Sequence, residues 1–206
     1  MRITVGNLKG GTAKTTTAVY LACALAERGR TALIDADPQG SALDWSVHAE
    51  AFPATVIPWP LRDLAKRVGQ IAGDYEHLVI DTGPEHDVIL RQALLCTDEL
   101  VIPVAPSPME LRRLSATVDL AAEIDAISPV AVSVLLAKVR ANTRSAGEAR
   151  QMLTDMGMPV LTASTHLWES YLLAWGTTPT DLGEYRAVLD ELVDGGDTTR
   201  EQEADA

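Results

Sequence analysis

Cysteine is scarce. The two present, Cys23 and Cys96, stand far apart without metal-ligand spacing, which argues against a disulfide framework and a thiolate metal site. Long apolar runs are missing: nothing approaches the ~20 residues needed to span a bilayer. The N-terminus passes straight into a strand-like segment with no leader pattern, so a cytoplasmic protein without a membrane anchor is expected. Positive charge is also short. Seventeen Lys and Arg face 29 Asp and Glu, and the net charge of −12 argues against strong constitutive attraction to nucleic acid or an anionic membrane. Histidine is confined to His48, His77, His86 and His166, scattered and read as surface or supporting residues. No internal repeat or linker divides the chain. With 47% apolar and 22% charged residues among 206, it reads as one globular domain over residues 1–195. An acidic tail, 196–206, is expected to be disordered. From Asp190 onward, Asp190, Glu191, Asp194, Asp197, Glu201, Glu203 and Asp205 face Arg200 alone, which is no basic amphipathic anchor.

What is present concentrates in Gly6-Asn7-Leu8-Lys9-Gly10-Gly11-Thr12-Ala13-Lys14-Thr15-Thr16. An apolar strand-like run, Arg2 to Val5, precedes it, and an alanine-rich helical pattern from Thr17 to Arg28 follows. A strand, a glycine-rich turn and a helix start make a phosphate cradle, because the first helical N–H groups lack intrahelical partners and lie at the positive dipole end. Gly10 and Gly11 allow the backbone to approach phosphate oxygens closely. Thr12, Ala13 and Thr16 complete the loop, Lys14 supplies a point charge, and the Thr15 hydroxyl is placed to ligate Mg²⁺. The strict Gly-x-x-x-x-Gly-Lys-Ser/Thr pattern fails, since Leu8 and Ala13 occupy the glycine positions. The segment instead matches Lys-Gly-Gly-x-x-Lys-Ser/Thr.

Further along, Thr31 to Ile34 reads as a buried strand running into Asp35-Ala36-Asp37-Pro38-Gln39-Gly40. Helical spacing follows at 41–49 and 61–71, on either side of a strand at Thr55 to Ile57. His77 to Asp81 is a near-continuous apolar strand ending in an aspartate, and Leu100 to Val104 leads into Ala105-Pro106-Ser107-Pro108. One helix is expected over 109–127, a strand over 130–139, a helix over 143–156, a strand at 160–162, and helices at 166–175 and 182–193. This alternation predicts an α/β fold, a single doubly wound, mainly parallel sheet with helices on both faces. The four tryptophans read as packing or interface anchors, with Trp168 and Trp175 spaced to share a helix face.

Phosphoryl transfer to water asks a protein mainly for positioning and charge compensation. Lys14 and the loop amides would hold phosphates, Thr15 and Asp81 would organise Mg²⁺ with Asp35 supporting the metal shell, and Asp37 would place the water. The segments KGGTAKTT, DADPQGSALDW, HLVIDTGP and VIPVAPSP resemble the ParA/MinD family of deviant Walker A P-loop ATPases, in particular its short ParA-type partition proteins. The resemblance implies ATP and Mg²⁺ as ligands and an ATP-dependent homodimer in which Lys9 reaches the partner's phosphates. It also implies weak ATP hydrolysis dependent on Asp37, and Pro106, Ser107 and Pro108 lying along the adenine. A small ParB-like or adaptor partner would stimulate turnover, and the ATP state would bind DNA nonspecifically, associating with the nucleoid. Departures from the family are Gly83-Pro84-Glu85-His86-Asp87 after the Walker B aspartate, Ala137 where relatives carry Asn, and Trp168 where many carry Arg. The DNA-facing patch would come from Arg112, Arg113, Lys138, Arg140, Arg144, Arg150 and Arg186. Two other classes fit the fold: a dethiobiotin-synthetase-like ligase activating a carboxylate with ATP, and a nucleotide-binding regulator without appreciable turnover. Lys9 and the Asp-x-Asp-Pro turn disfavour the ligase.

Overall fold

The computed structural model describes the backbone of residues 1–204 and the side chains of residues 1–195. Of the acidic tail expected at 196–206, the backbone as far as Ala204 belongs to the last helix, and the side chains from 196 onward and residues 205–206 lie outside the described residues. The elements run β1 (Arg2–Val5), α1 (Lys14–Ala26), β2 (Thr31–Asp35), α2 (Ser41–His48), β3 (Thr55–Pro58), α3 (Leu64–Ile71), β4 (His77–Asp81), α4 (Asp87–Leu94), β5 (Glu99–Val104), α5 (Pro108–Arg112), α6 (Ser115–Asp125), β6 (Ala131–Val139), α7 (Ser145–Asp155), β7 (Val160–His166), α8 (Glu169–Leu172) and α9 (Tyr185–Ala204).

All seven strands are parallel, in the order β3-β2-β4-β1-β5-β6-β7. Strand residues alternate between two apolar layers, as the pleat requires. Val5, Leu33, Val79, Val101 and Leu135 pack with α1, α2 and α9. On the opposite face, Leu78 and Ile80 meet α3 and α4, while Leu100, Ile102, Val134 and Leu136 meet α4 to α7. A sheet covered on both faces explains why β4 and β5 read as unbroken apolar runs. The chain leaves β1 toward β2 on one side and later builds β5 to β7 on the other. This reversal beside β1 opens a crevice at the carboxyl ends of the strands.

Three elements differ from the sequence expectation. The segment 87–94, assigned no element above, forms α4, whose Ile89, Leu90, Ala93 and Leu94 are buried. The expected helix 109–127 is broken in two. Ser107 caps α5 by accepting the Glu110 N–H, and the Arg113 and Leu114 N–H groups bond three residues back, a tight turn that buries both Leu111 and Leu114. The strand expected at 160–162 continues to His166, which leaves only the short α8 of the helix expected at 166–175. Carboxylates from the α9 side satisfy that sheet edge. Glu191 accepts the Thr162 and Ala163 N–H groups at 2.6 and 2.8 Å, and Glu184 accepts that of His166 at 2.7 Å. A long edge strand is thereby covered without a further strand.

Candidate functional site

The loop between β1 and α1 is shaped by two left-handed residues, Gly11 (φ 75°) and Ala13 (φ 71°). Alternating left- and right-handed backbone turns successive N–H groups toward one concavity, a nest suited to anions. At Ala13 the backbone adopts the conformation that glycine would take in an ordinary P-loop, and it keeps that conformation despite its Cβ. Two more left-handed residues brace the loop from outside: the Glu85 N–H donates to the Leu8 carbonyl at 3.0 Å, and Lys138 Nζ donates to the Gly11 carbonyl at 2.7 Å. Strain of this kind collects where the fold over-determines a working geometry. From within, Asn7 donates to the Pro103 carbonyl and accepts the Lys9 N–H, which ties the loop to β5.

Residues 10–16 line a cavity of about 260 Å³ with Asp37, Pro84 and Lys138. Lys14 begins α1, is buried, and donates to the Lys9 carbonyl at 2.7 Å. Burial lowers its pKa, opposed by the Asp81 and Asp37 carboxylates and reinforced by Lys9. Asp81, wholly buried, has no hydrogen-bond partner on either carboxylate oxygen among the described residues. Burial raises its carboxyl to about 8, against the opposing influence of the Thr15 hydroxyl and Lys14. An orphaned carboxylate at a strand end beside a P-loop threonine is the donor set a hard, oxygen-seeking cation accepts. No cluster of three or more His, Cys, Asp or Glu side chains suited to a metal occurs among the described residues. The site thus fits an ion that takes its other oxygens from phosphate and water.

The two aspartates of the 35–40 turn separate in role. Asp35 accepts the Asp37 N–H at 3.1 Å and the Leu43 N–H at 2.8 Å, so both its oxygens hold the turn and the start of α2. Burial raises its pKa and these bonds resist the rise. As placed, it braces the turn on the strand beside Asp81. Asp37 lies at the cavity, its Oδ1 accepting the Gln39 N–H at 2.9 Å. Gly83 permits that position, because a Cβ there would stand 2.6 Å from Asp37 Oδ1 and 3.0 Å from His86 Cδ2. A glycine in the segment after β4 is thus part of what seats Asp37.

Lys9 does not point at Lys14's ligand space. Its ammonium pairs with Glu110 on α5, with both side chains largely shielded and the second Glu110 oxygen buried without a partner. Pro106, Ser107 and Pro108 line neither cavity near the loop; they initiate α5 and so position Glu110. A second, mainly apolar cavity of about 40 Å³ adjoins the loop at Ala13, Thr16 and Lys138. It is bounded by Thr165, His166, Leu167, Tyr171, Leu172 and Tyr185. The apolar run at 160–162 gives no sign of this wall in the sequence; with β7 reaching His166, the rule that ligands sit at strand carboxyl ends points to it. The expected basic patch shrinks: Arg150 donates to the Leu161 and Thr162 carbonyls, Arg186 pairs with Glu27, and Lys138 is held on Gly11. Arg112, Arg113, Arg140 and Arg144 remain exposed on α5 and the turn into α7, elements that pack together.

Residues 3–170 match the CobQ/CobB/MinD/ParA nucleotide binding domain. A maintenance of carboxysome distribution protein A from Gloeobacter kilaueensis is 33% identical over 205 residues, covering 92% of this chain and 93% of its own. Among solved structures, an aspartate-to-alanine variant of McdA from Cyanothece in complex with ATP superposes with a TM-score of 0.79 at 17% identity, covering 93% of this chain and 95% of its own. Cobyrinic acid a,c-diamide synthase from Mycobacterium smegmatis, with ADP and magnesium bound, superposes with a TM-score of 0.77 at 20% identity and 93% coverage of each chain. At these identities the two structures speak for the fold. The match over most of the chain places the loop, Lys14, Asp37 and Asp81 in a recognised nucleotide-binding domain, and the protein belongs to the CobQ/CobB/MinD/ParA family.

Proposed function

We propose that this protein is an Mg-ATP-dependent dimerisation switch of the ParA type, which positions a cargo by cycling between nucleotide states. The observation that carries the reading is the conjunction of Asp81, buried with both oxygens unpartnered, and the Ala13–Lys14–Thr15 nest beside it. Thr15 and Asp81 would hold a magnesium ion, which would supply charge neutralisation for the bound phosphates. The chain's own residues do the rest. Loop amides and Lys14 would fix the phosphates, and Lys138, His166 and Leu167 border the adjoining cavity on the nucleoside side of the loop. Asp37, seated against Gly83, orients a water and accepts its proton. Lys9 leaves Glu110 to meet the partner subunit's phosphates, which makes the dimer depend on ATP. Among possible cargoes a protein assembly is favoured by the similarity, over nearly the whole chain, to a carboxysome distribution protein. The track is DNA, bound weakly and nonspecifically through Arg112, Arg113, Arg140 and Arg144 of the dimer, with a steep salt dependence.

Sedimentation with a nonhydrolysable ATP analogue tests the switch. The parent should be dimeric with nucleotide and monomeric without, Lys9→Ala monomeric in both, and Asp37→Ala dimeric in ATP but unable to turn it over. A parent dimer equally strong without nucleotide refutes the reading.

A further inference from the structure

Hydrolysis of a phosphoanhydride near neutral pH liberates a proton, which must leave the site. The attacking water forms a bond to the terminal phosphorus, the bridging P–O bond breaks, and the products are the diphosphate, inorganic phosphate and that proton. Asp37, the acceptor proposed above, is poorly placed to deliver it to solvent. Only 8% of the residue is exposed, and its Oδ1 accepts the Gln39 N–H.

The side chain standing between Asp37 and bulk water is His86. A Cβ at Gly83 would meet Asp37 Oδ1 at 2.6 Å and His86 Cδ2 at 3.0 Å, so the carboxylate and the imidazole flank one buried glycine. Nε2 is the ring nitrogen bonded to Cδ2, and a gap of this size is one that a single water bridges. Asp37 is buried and His86 exposed, so a proton crossing from one to the other moves from the interior to the surface.

The backbone around the ring is fixed. The N–H of Glu85, a left-handed residue (φ 59°), donates to the Leu8 carbonyl of the phosphate loop at 3.0 Å. The His86 carbonyl accepts the Ile89 and Leu90 N–H groups at 3.1 and 3.0 Å, and both of those side chains are buried. His86 is thus clamped between the loop and the first turn of α4, and its ring is not spent on capping that helix. The other histidines are committed or remote. His48 Nδ1 bonds the Asp44 carbonyl, His166 pairs with Glu184, and His77 begins β4 at the opposite end of the sheet.

We propose that His86 takes up the hydrolytic proton from Asp37 and releases it to solvent. The proton leaves the attacking water for the Asp37 carboxylate, crosses to Nε2 of the neutral ring, and passes from the imidazolium to bulk water, which returns both groups to their starting state. Histidine suits the step because its ordinary charge change falls close to neutral pH, so it both accepts and gives up a proton readily. His86 does not line the nucleotide cavity and acts through Asp37. The inference rests on the reading of this chain as an ATPase.

Single-turnover hydrolysis of Mg-ATP is measured for the parent, His86→Gln, His86→Ala and Asp37→Ala, alongside nucleotide affinity and circular dichroism. Gln places an amide N–H near where Nε2 stands, so it keeps a hydrogen bond but cannot carry a proton. Both His86 variants should bind ATP within about twofold of the parent and hydrolyse it at least about tenfold more slowly. Imidazole added to the buffer should restore much of the lost rate to His86→Ala and none to Asp37→Ala. A parental rate in His86→Gln, or slow hydrolysis in His86→Ala that imidazole leaves unchanged, overturns the inference while the assignment of Asp37 stands. Weakened ATP binding or altered circular dichroism in both His86 variants would assign the residue a structural role and overturn it as well. A parent no faster than Asp37→Ala overturns the proposed function itself, and the inference with it.

Discussion

Glu110→Gln offers the sharpest test of the proposed switch, because it changes a residue that touches no nucleotide. In the resting chain the Lys9 ammonium pairs with Glu110, with the two side chains 24% and 13% exposed, so solvent screens the pair less than a surface bridge. A hydrogen bond to a charged group contributes about 1.5–3 kcal/mol, against about 1 for a neutral pair. Replacing the carboxylate by an amide keeps an acceptor for Lys9 and removes the charge, so each protomer releases its lysine more easily by about 1 kcal/mol. Two lysines must move per dimer. The ATP-bound dimer should therefore tighten by about 2 kcal/mol, or about 30-fold in dissociation constant. The assay is sedimentation equilibrium with a nonhydrolysable analogue over a range of protein concentrations, alongside the ADP state as control. Glu110→Gln should dimerise at lower concentration with ATP analogue and remain monomeric with ADP. A dimer constant within about twofold of the parent would refute the claim that Glu110 holds Lys9 back, and a weakened dimer would mean that Glu110 itself works at the interface.

Ala13→Gly should relieve the left-handed strain at φ 71°; part of the gain is lost to the extra freedom of glycine in the unfolded chain, leaving about 0.5–1 kcal/mol. A higher urea midpoint at unchanged slope would show it, and a fall in stability would sink the strain argument. Gly83→Ala places a methyl 2.6 Å from Asp37 Oδ1, so single-turnover hydrolysis should drop by about tenfold to a hundredfold while ATP affinity holds; a parental rate would separate Gly83 from the seating of Asp37. Glu99, at the far end of the sheet, is buried with Oε1 unpartnered and its carboxyl pushed up from 4.5 to about 7, chiefly by burial. Between those values the unfolded chain ionises while the folded chain stays protonated, so stability contributed by this group is intact below pH 4.5 and declines as pH rises toward 7. Glu99→Gln should remove about 2–3 kcal/mol of that decline and melt higher than the parent at about pH 8; parallel stability profiles across that window would refute it.

How much of this protein its sequence determines depends on how local the governing interactions are. The strand at 2–5, the glycine-rich turn and the following helix start are neighbours along the chain, so the phosphate nest could be read before any fold was known. Asp81 at a strand end and Asp37 in the turn just past one were equally legible, because apolar runs terminate where the chain leaves the core. Helix ends were less so: α1 begins at Lys14 rather than Thr17 because the nest itself supplies its first turn. Where side chains from distant segments compete for one space, only the tertiary structure decides. Placing β4 and β5 on either side of β1 brings Asp81 level with Val5 and with Asp35. It also sets Glu110 against Lys9, 101 positions away. The same packing commits the oxygens of Asp35 to the backbone, breaks one expected helix at Arg113, and extends β7 past Thr162 because Glu184 and Glu191 cap its open edge. Pattern and spacing carry the periodicity of an element, whereas register, strand order and the partner of a buried charge are set by what the other elements leave available. The lysine's partner and the placing of His86 beside Asp37 belong to that second kind.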